Sequence, residues 1–162
     1  MWLELNPIIG PGWMLKGQQR EVPTPGRNKR TNFFITMLWP SKRVVYNVYK
    51  RRRSREFKGH LTNLLRHMER HRLKRLILIM DNATIHRSEE TMQFLERHQD
   101  KISPFYLPRY SPKLNEVDGR VNRRLKGDVC TNHTYQSIKE LEDAARQYLR
   151  NHNKRHKCWD LT

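Results

Sequence analysis

The stretch LILIMDNATIH, at residues 76–86, determines how the rest of the sequence is interpreted. A run of apolar residues ending in an acid is typical of a strand inside a parallel sheet, and we expect that strand to cover residues 73–80. Asp81 follows directly, at the strand end where open α/β sheets present ligand and catalytic groups. A capping aspartate in an Asp-Asn turn is the structural alternative for this residue.

A second motif, LPRYSPKLNEVD at residues 107–118, brings in another acid. Ser111 and Pro112 resemble an N-cap followed by proline at the first helical position, and the helix is predicted to run to about Lys126. Asp118 lies near its start, where the helix dipole stabilises an acid by up to about 1 kcal/mol, so a structural role is the alternative. Two carboxylates presented by separate elements favour metal-dependent phosphodiester chemistry.

The other apolar patterns predict a single domain with a mixed sheet flanked by helices. No linker or internal repeat divides residues 1–162. The predicted elements are a strand at 2–5, a hairpin of strands at 33–39 and 43–49 with a turn at 40–42, a helix at 55–71, a helix beginning at Ser88, a short strand at 102–107 and a last helix capped by Thr134 or Ser137.

The charge of the chain favours nucleic acid as its partner. The formal net charge is +17, and residues 1–80 carry 18 Lys and Arg against 4 Asp and Glu, a net of +14. A polyanion explains such an excess better than a solvated surface does. We expect no membrane partner because no apolar run approaches a membrane span. Cys130 and Cys158 lack the spacing of a zinc site, and a reduced, cytoplasmic protein is the expectation.

Both motifs resemble those of a known family. Residues 79–86 closely resemble the second-acid motif of mariner-type insertion-sequence transposases of the DDE superfamily, and residues 107–118 resemble its third-acid motif. The 36 residues between the two acids are close to the spacing that is usual in the family. WMLKG at residues 13–17 resembles a further sequence element of the family. The resemblance extends from Met1 to about His156. It implies an RNase H-like fold with strand order 3-2-1-4-5.

The resemblance also implies roles for individual residues. Asp81 and Asp118 would be catalytic ligands of Mg²⁺ (or Mn²⁺), with two ions in a complete site, and Asp118 would replace the usual glutamate. Glu116 stands where the family has proline, and Asp118 is favoured over it as the ligand because two positions on a helix point apart. Asn82, His86 and Asn115 would orient the site, although His86 is favoured as a packing residue of the turn. No organic cofactor site is predicted.

The family's first catalytic aspartate is expected just before the Trp-Leu-Glu-Leu that begins at Trp2. On this reading strand one is incomplete, the first aspartate is missing, and Glu4 lies on the wrong face of the strand to replace it. An N-terminal DNA-recognition domain is also expected to be absent. A decayed remnant, a misplaced start codon and one half of a frameshifted product are the three explanations.

Basic residues around both motifs are predicted to contact the DNA backbone without reading its sequence. Trp2 and Trp39 are expected in the core, whereas Tyr110 is equally suited to DNA contact and to loop packing. The predicted DNA-binding residues are Lys50, Arg51, Arg52, Arg53, Arg55, Lys113, Arg120, Arg123, Arg124 and Lys126.

The predicted function is that of the catalytic domain of a DNA transposase, which cleaves strands and joins the 3′-hydroxyl to target DNA. The main alternative is a catalytically inactive remnant that binds DNA or pairs with an intact transposase. An RNA-processing nuclease on the same fold fits the charge but not the second motif. We expect transposon ends and target DNA as partners, a homodimer or a pairing with full-length transposase, and a cytoplasmic, nucleoid-associated location.

Overall fold

Five strands form two sheets in the computed structural model, which describes residues 1–18, 21–24, 26, 28–109 and 111–156. An antiparallel sheet has the order β1-β2-β3, and a parallel sheet pairs β4 with β5. The strands are β1 (Trp2–Glu4), β2 (Arg30–Met37), β3 (Val44–Tyr49), β4 (Leu76–Met80) and β5 (Ile102–Tyr106). The predicted hairpin is therefore confirmed as β2 and β3.

Helices connect and cover the strands. α1 (Ser54–Arg70) joins β3 to β4, α2 (Glu89–Arg97) joins β4 to β5, and α4 (Ile138–Arg155) closes the described chain. Ser88 caps α2 and Ser137 caps α4, since their hydroxyls accept the N–H groups of Thr91 (3.4 Å) and Glu140 (3.2 Å). Short 3-10 turns lie at Thr84–His86 and Pro112–Leu114. Among the described helices, none is long and apolar enough to cross a membrane.

The helix after the second motif differs from its prediction. Residues 117–130 form what we call the wide helix, with π-helical turns at Val117–Asn122 and Lys126–Cys130 on either side of the short α3 (Arg123–Leu125). It begins later than Ser111 because the Asn115 carbonyl accepts the first helical N–H groups, from Asp118 (3.1 Å) and Gly119 (3.3 Å). π-Helical turns are rare and frequently occur at functional sites.

The predicted order 3-2-1-4-5 is observed only as two separate parts. β1 is opposite Arg30, Thr31 and Asn32 of β2, and Met1 exchanges two 2.9 Å hydrogen bonds with Phe33. Beyond Phe33, β2 is paired only with β3, and within the described residues β1 and β4 share no pairing. A cleft of about 1610 Å³, here called the main cleft, is lined by both β2 and β4.

Two apolar cores hold the layers together. One core packs the three-stranded sheet against the wide helix and α4, and the other packs α1 and α2 against β4 and β5. Burying each such side chain contributes about 1.5–3 kcal/mol. The fully buried members include Leu3, Phe33, Val121, Leu125, Leu141 and Leu149 in the first core and Leu61, Leu64 and Ile102 in the second.

One face of β4 and the side chain of Trp39 are more exposed than the sequence predicts. Leu78 and Met80 of β4 are buried, but Ile77 and Ile79 on the opposite face of the strand are 70% and 60% exposed. They are exposed because their face of the sheet lines the main cleft. Trp39 was expected in the core, yet it lies in the turn beyond β2 and is 73% exposed.

Candidate active site

The Asp81 carboxylate is fixed at the carboxyl end of β4. Its Oδ1 accepts the Ala83 N–H at 3.0 Å and lies 2.8 Å from His86 Nδ1. The other oxygen has no protein partner among the described residues, and the side chain lines the main cleft at 46% exposure. The tight turn expected as the structural alternative is therefore present, and it leaves one carboxylate oxygen available for a ligand.

His86 orients Asp81 from a partly buried position, with its side chain 14% exposed. Its ring packs on Phe57 with centroids 4.4 Å apart, and Nδ1 also lies 3.2 Å from the Asp81 carbonyl oxygen. Burial lowers the pKa of His86, although the negative charge and hydrogen bonds of Asp81 oppose that shift. The neutral ring therefore carries its proton on Nδ1, where both neighbours are acceptors, and donates it to Asp81.

Asn82 does not hold the Asp81 carboxylate, contrary to one expected role. Its Nδ2 donates to the Leu107 carbonyl at 2.6 Å, and its Oδ1 accepts from Arg87 Nε at 3.0 Å. The Leu107 N–H donates in turn to the Met80 carbonyl at 2.8 Å. Asn82 thus ties the end of β4 to the start of the second motif, which fixes the two motifs relative to each other.

Asp118 lies in the first turn of the wide helix and is held by two amides. Asn115 Nδ2 donates to one carboxylate oxygen at 2.9 Å, and Asn122 Nδ2 donates to the other at 2.5 Å. Glu116 instead forms an ion pair with Arg120 one turn along the helix. Asp81, Glu116 and Asp118 all line the main cleft, and the Glu116 charge is already paired with that of Arg120.

Three of the predicted DNA-binding cations also line the main cleft, namely Arg52, Arg123 and Lys126. The Arg52 guanidinium and the Lys126 ammonium lie over the Trp2 ring, 6.0 Å and 5.3 Å from its centroid. The other predicted cations are exposed outside the cleft: Lys50, Arg51, Arg53, Arg55, Lys113, Arg120 and Arg124.

Sequence reasoning missed the role of Trp2, which was expected in the core. The ring is 42% exposed and holds cations from two distant parts of the chain at the cleft wall. No local pattern signals this cluster because β1, the loop before α1 and the wide helix meet only in the folded chain. Tyr110, the other aromatic candidate, lies outside the described residues.

The donor atoms at this site are oxygens, the type of ligand that a hard cation such as Mg²⁺ prefers. Mg²⁺ prefers carboxylate oxygens and commonly binds through one or two carboxylates, with waters and substrate phosphates completing its shell. Asp81 and Asp118 supply two such carboxylates to one cleft. Within the described ranges, however, no cluster of three or more His, Cys, Asp and Glu side chains is suited to hold a metal ion.

Comparisons with known proteins agree with the motifs. A family model described as DDE superfamily endonuclease matches residues 3–142. The chain is 33% identical over 147 residues to "Insertion element IS630 uncharacterized 39 kDa protein" of Shigella sonnei, across 91% of this chain and 42% of that protein. The chain thus spans less than half the length of this relative.

Solved structures of Mos1 transposase share the fold. The Mos1 paired-end complex with left transposon end superposes with a TM-score of 0.69 at 21% identity, covering 93% of this chain and 46% of that one. The Mos1 mariner paired end complex with Mn gives 0.69 at 22% identity, with the same coverage. The predicted RNase H-like α/β class is confirmed, whereas the β1–β4 adjacency is not. The chain belongs to the DDE superfamily endonucleases.

Proposed function

We propose that this domain performs the DNA chemistry of a transposase, with Asp81 and Asp118 as its metal ligands. The observation that carries the proposal is that carboxylates from two separate motifs line one cleft, together with three of the predicted DNA-binding cations. Metal-dependent strand cleavage and transfer of a 3′-hydroxyl to target DNA is the reaction that this arrangement supports best.

Different residues of the chain have different roles in the proposed reaction. A bound Mg²⁺ or Mn²⁺ would supply activation of the attacking oxygen and stabilisation of the leaving oxygen. Asp81 offers the oxygen that His86 leaves free, and the Asn115 and Asn122 amides keep the Asp118 carboxylate in one orientation. Arg52, Arg123 and Lys126 bind the phosphates on either side of the reacting bond. Arg120 is occupied by Glu116 and contributes less.

The proposed substrate is DNA. The net charge of +17 and the basic cleft wall favour a polyanion, and the Mos1 neighbours include a complex with a transposon end. We propose a homodimer, or a pairing with full-length transposase, as the assembly that brings two transposon ends together. The corresponding location that we propose is the cytoplasm, in association with the nucleoid.

A second candidate function rests on the number of metal-binding side chains at the site. Since the described residues include no cluster of three metal-binding side chains, the domain is also suited to gripping DNA without cutting it. Such a chain would bind a transposon end or join an intact transposase.

A nicking assay on supercoiled plasmid distinguishes these functions. The transposase proposal predicts nicking that requires Mg²⁺ or Mn²⁺ and disappears in Asp81→Asn and Asp118→Asn. The matched control Glu116→Gln keeps nicking within about threefold, because an exposed pair such as Glu116–Arg120 contributes little. Salt-sensitive DNA binding with no metal-dependent nicking in the wild type would overturn catalysis and support the second function.

A further inference from the structure

A second concave site lies between α1 and the start of β3. It is a pocket of about 400 Å³, and among the residues that the structure describes no acidic side chain lines it. We call it the basic pocket, and the residues that give it its character are Arg43, Asn63, Arg66, His67, Arg70 and His71.

The three arginines of the basic pocket carry uncompensated charge. In the described part of the chain, none of Arg43, Arg66 and Arg70 forms an ion pair. Arg66 and Arg70 are four residues apart on α1, which places them one above the other on the same helix face. Like charges at this spacing repel each other by about 0.2–0.5 kcal/mol, and an anion bound between them would relieve that repulsion.

Contacts within the protein hold two parts of the basic pocket in place. Asn153 of α4 accepts the Val44 N–H at 2.7 Å and donates to the Val44 carbonyl at 2.9 Å, which anchors the backbone next to Arg43. The His67 and His71 rings pack with centroids 4.3 Å apart on the α1 side. Burial, followed by the positive charges of His71, Arg43 and Arg70, lowers the pKa of His67, as expected in a positive field.

We propose that the basic pocket binds a phosphate of the DNA backbone, at a point on the duplex away from the reacting bond. Guanidinium groups bind phosphate oxygens through paired hydrogen bonds, and a pocket of this volume accommodates a phosphate with part of its sugar. The proposal rests on DNA being the substrate but not on its cleavage.

The position of the basic pocket suits one continuous duplex. His67 and His71 line both the basic pocket and the main cleft, so the two sites adjoin. Asp81 lies at the carboxyl end of β4, whereas α1 ends near its amino end. At roughly 3.3 Å per residue, the five residues of β4 place Asp81 about 15 Å from the end of the strand that lies near α1.

The test is duplex binding without divalent metal, measured by fluorescence anisotropy across a salt series. Each lost phosphate contact lowers the slope of log K against log salt by about 0.9, so Arg66→Gln/Arg70→Gln, which removes the one phosphate held by the pocket, lowers it by about 1 and weakens binding roughly 10-fold near 0.1 M salt. The matched control Arg97→Gln/Arg150→Gln removes the same charge from exposed sites outside both clefts.

Several outcomes decide the proposal. A much smaller effect in the control than in the pocket variant, with equal thermal melting of both proteins, supports it. Equal losses in both variants would show general charge attraction and overturn it. Shifts of the His67 and His71 ring signals with inorganic phosphate, without a DNA defect in the pocket variant, would assign the pocket to free phosphate and also overturn it. Because metal is absent, failure of plasmid nicking does not affect this result.

Discussion

The buried ring of His60 should make the stability of this domain depend on pH. The ring is 1% exposed in α1, its Nδ1 lies 2.8 Å from Asn47 Oδ1, and its Nε2 lies 2.8 Å from Thr36 Oγ1. Asn47 Oδ1 already accepts from Asn63 Nδ2 at 3.0 Å, so Nδ1 carries the proton and the Thr36 hydroxyl donates to Nε2. This network holds α1 against β2 and β3 through a neutral ring.

Burial, followed by the electrostatic interaction with His86, lowers the pKa of His60 to about 3 in the folded protein, against 6.5 for an ordinary histidine. Below pH 6.5 the unfolded chain therefore binds a proton that the folded chain does not. The stability contributed by the neutral ring is complete above pH 6.5 and is lost as the pH falls from there towards 3. At 1.36 kcal/mol per pH unit, the loss between about pH 7.5 and about pH 5 is roughly 2 kcal/mol.

Urea unfolding at both pH values, followed by tryptophan fluorescence, measures this loss in the wild type and in two variants. His60→Leu removes the titrating group and leaves the Thr36 hydroxyl unpaired, so it is less stable near neutral pH by about 1–3 kcal/mol but loses roughly 2 kcal/mol less on acidification. Thr36→Val is the matched control, since it removes one hydrogen bond but keeps the ring buried and the acid sensitivity. Equal acid losses in wild type and His60→Leu would refute the reasoning.

Two further predictions concern other parts of the fold. Arg72 follows α1 with φ +53°, and its N–H and that of Leu73 donate to the carbonyls of Glu69 (3.1 Å) and Met68 (2.9 Å). Glycine adopts this left-handed conformation with less strain than arginine does. We therefore expect Arg72→Gly to raise the free energy of unfolding by about 0.5–1 kcal/mol and Arg72→Ala not to raise it. A urea titration in which both variants match the wild type would contradict this. Burial raises the pKa of the Cys130 thiol to about 11, so in a Cys158→Ser background its reaction with a disulfide reagent near pH 8 should be at least about 100-fold slower when folded than in urea. Comparable rates in the two states would show that Cys130 is accessible.

The sequence predicted the local elements well because their signals are local. The apolar run before Asp81, the hairpin turn between β2 and β3, and the capping serines Ser88 and Ser137 each act over a few residues. Their bounds differ from the predictions by a few residues at most. The wide helix is the exception, because its start depends on the Asn115 carbonyl and not on the proline signal.

Features that depend on distant contacts were not predictable in the same way. The exposure of Ile77 and Ile79 follows from which elements flank β4, and a hydrophobic run cannot report that. The cluster of Arg52 and Lys126 on Trp2 joins three segments with no shared pattern. Within the site, the motifs pointed to Asp81 and Asp118, which both line the cleft, but only the folded chain shows that Glu116 lines it too and that His86, and not Asn82, holds Asp81.

Direct measurement of Mn²⁺ binding tests the central claim that Asp81 and Asp118 form one metal site. Electron paramagnetic resonance of the free ion, with duplex DNA present to supply phosphate oxygens, reports how much Mn²⁺ the protein removes from solution. We predict binding by the wild type and by Glu116→Gln, and its loss in both Asp81→Asn and Asp118→Asn. Undiminished binding in the two aspartate variants, or loss of binding in Glu116→Gln, would contradict the account.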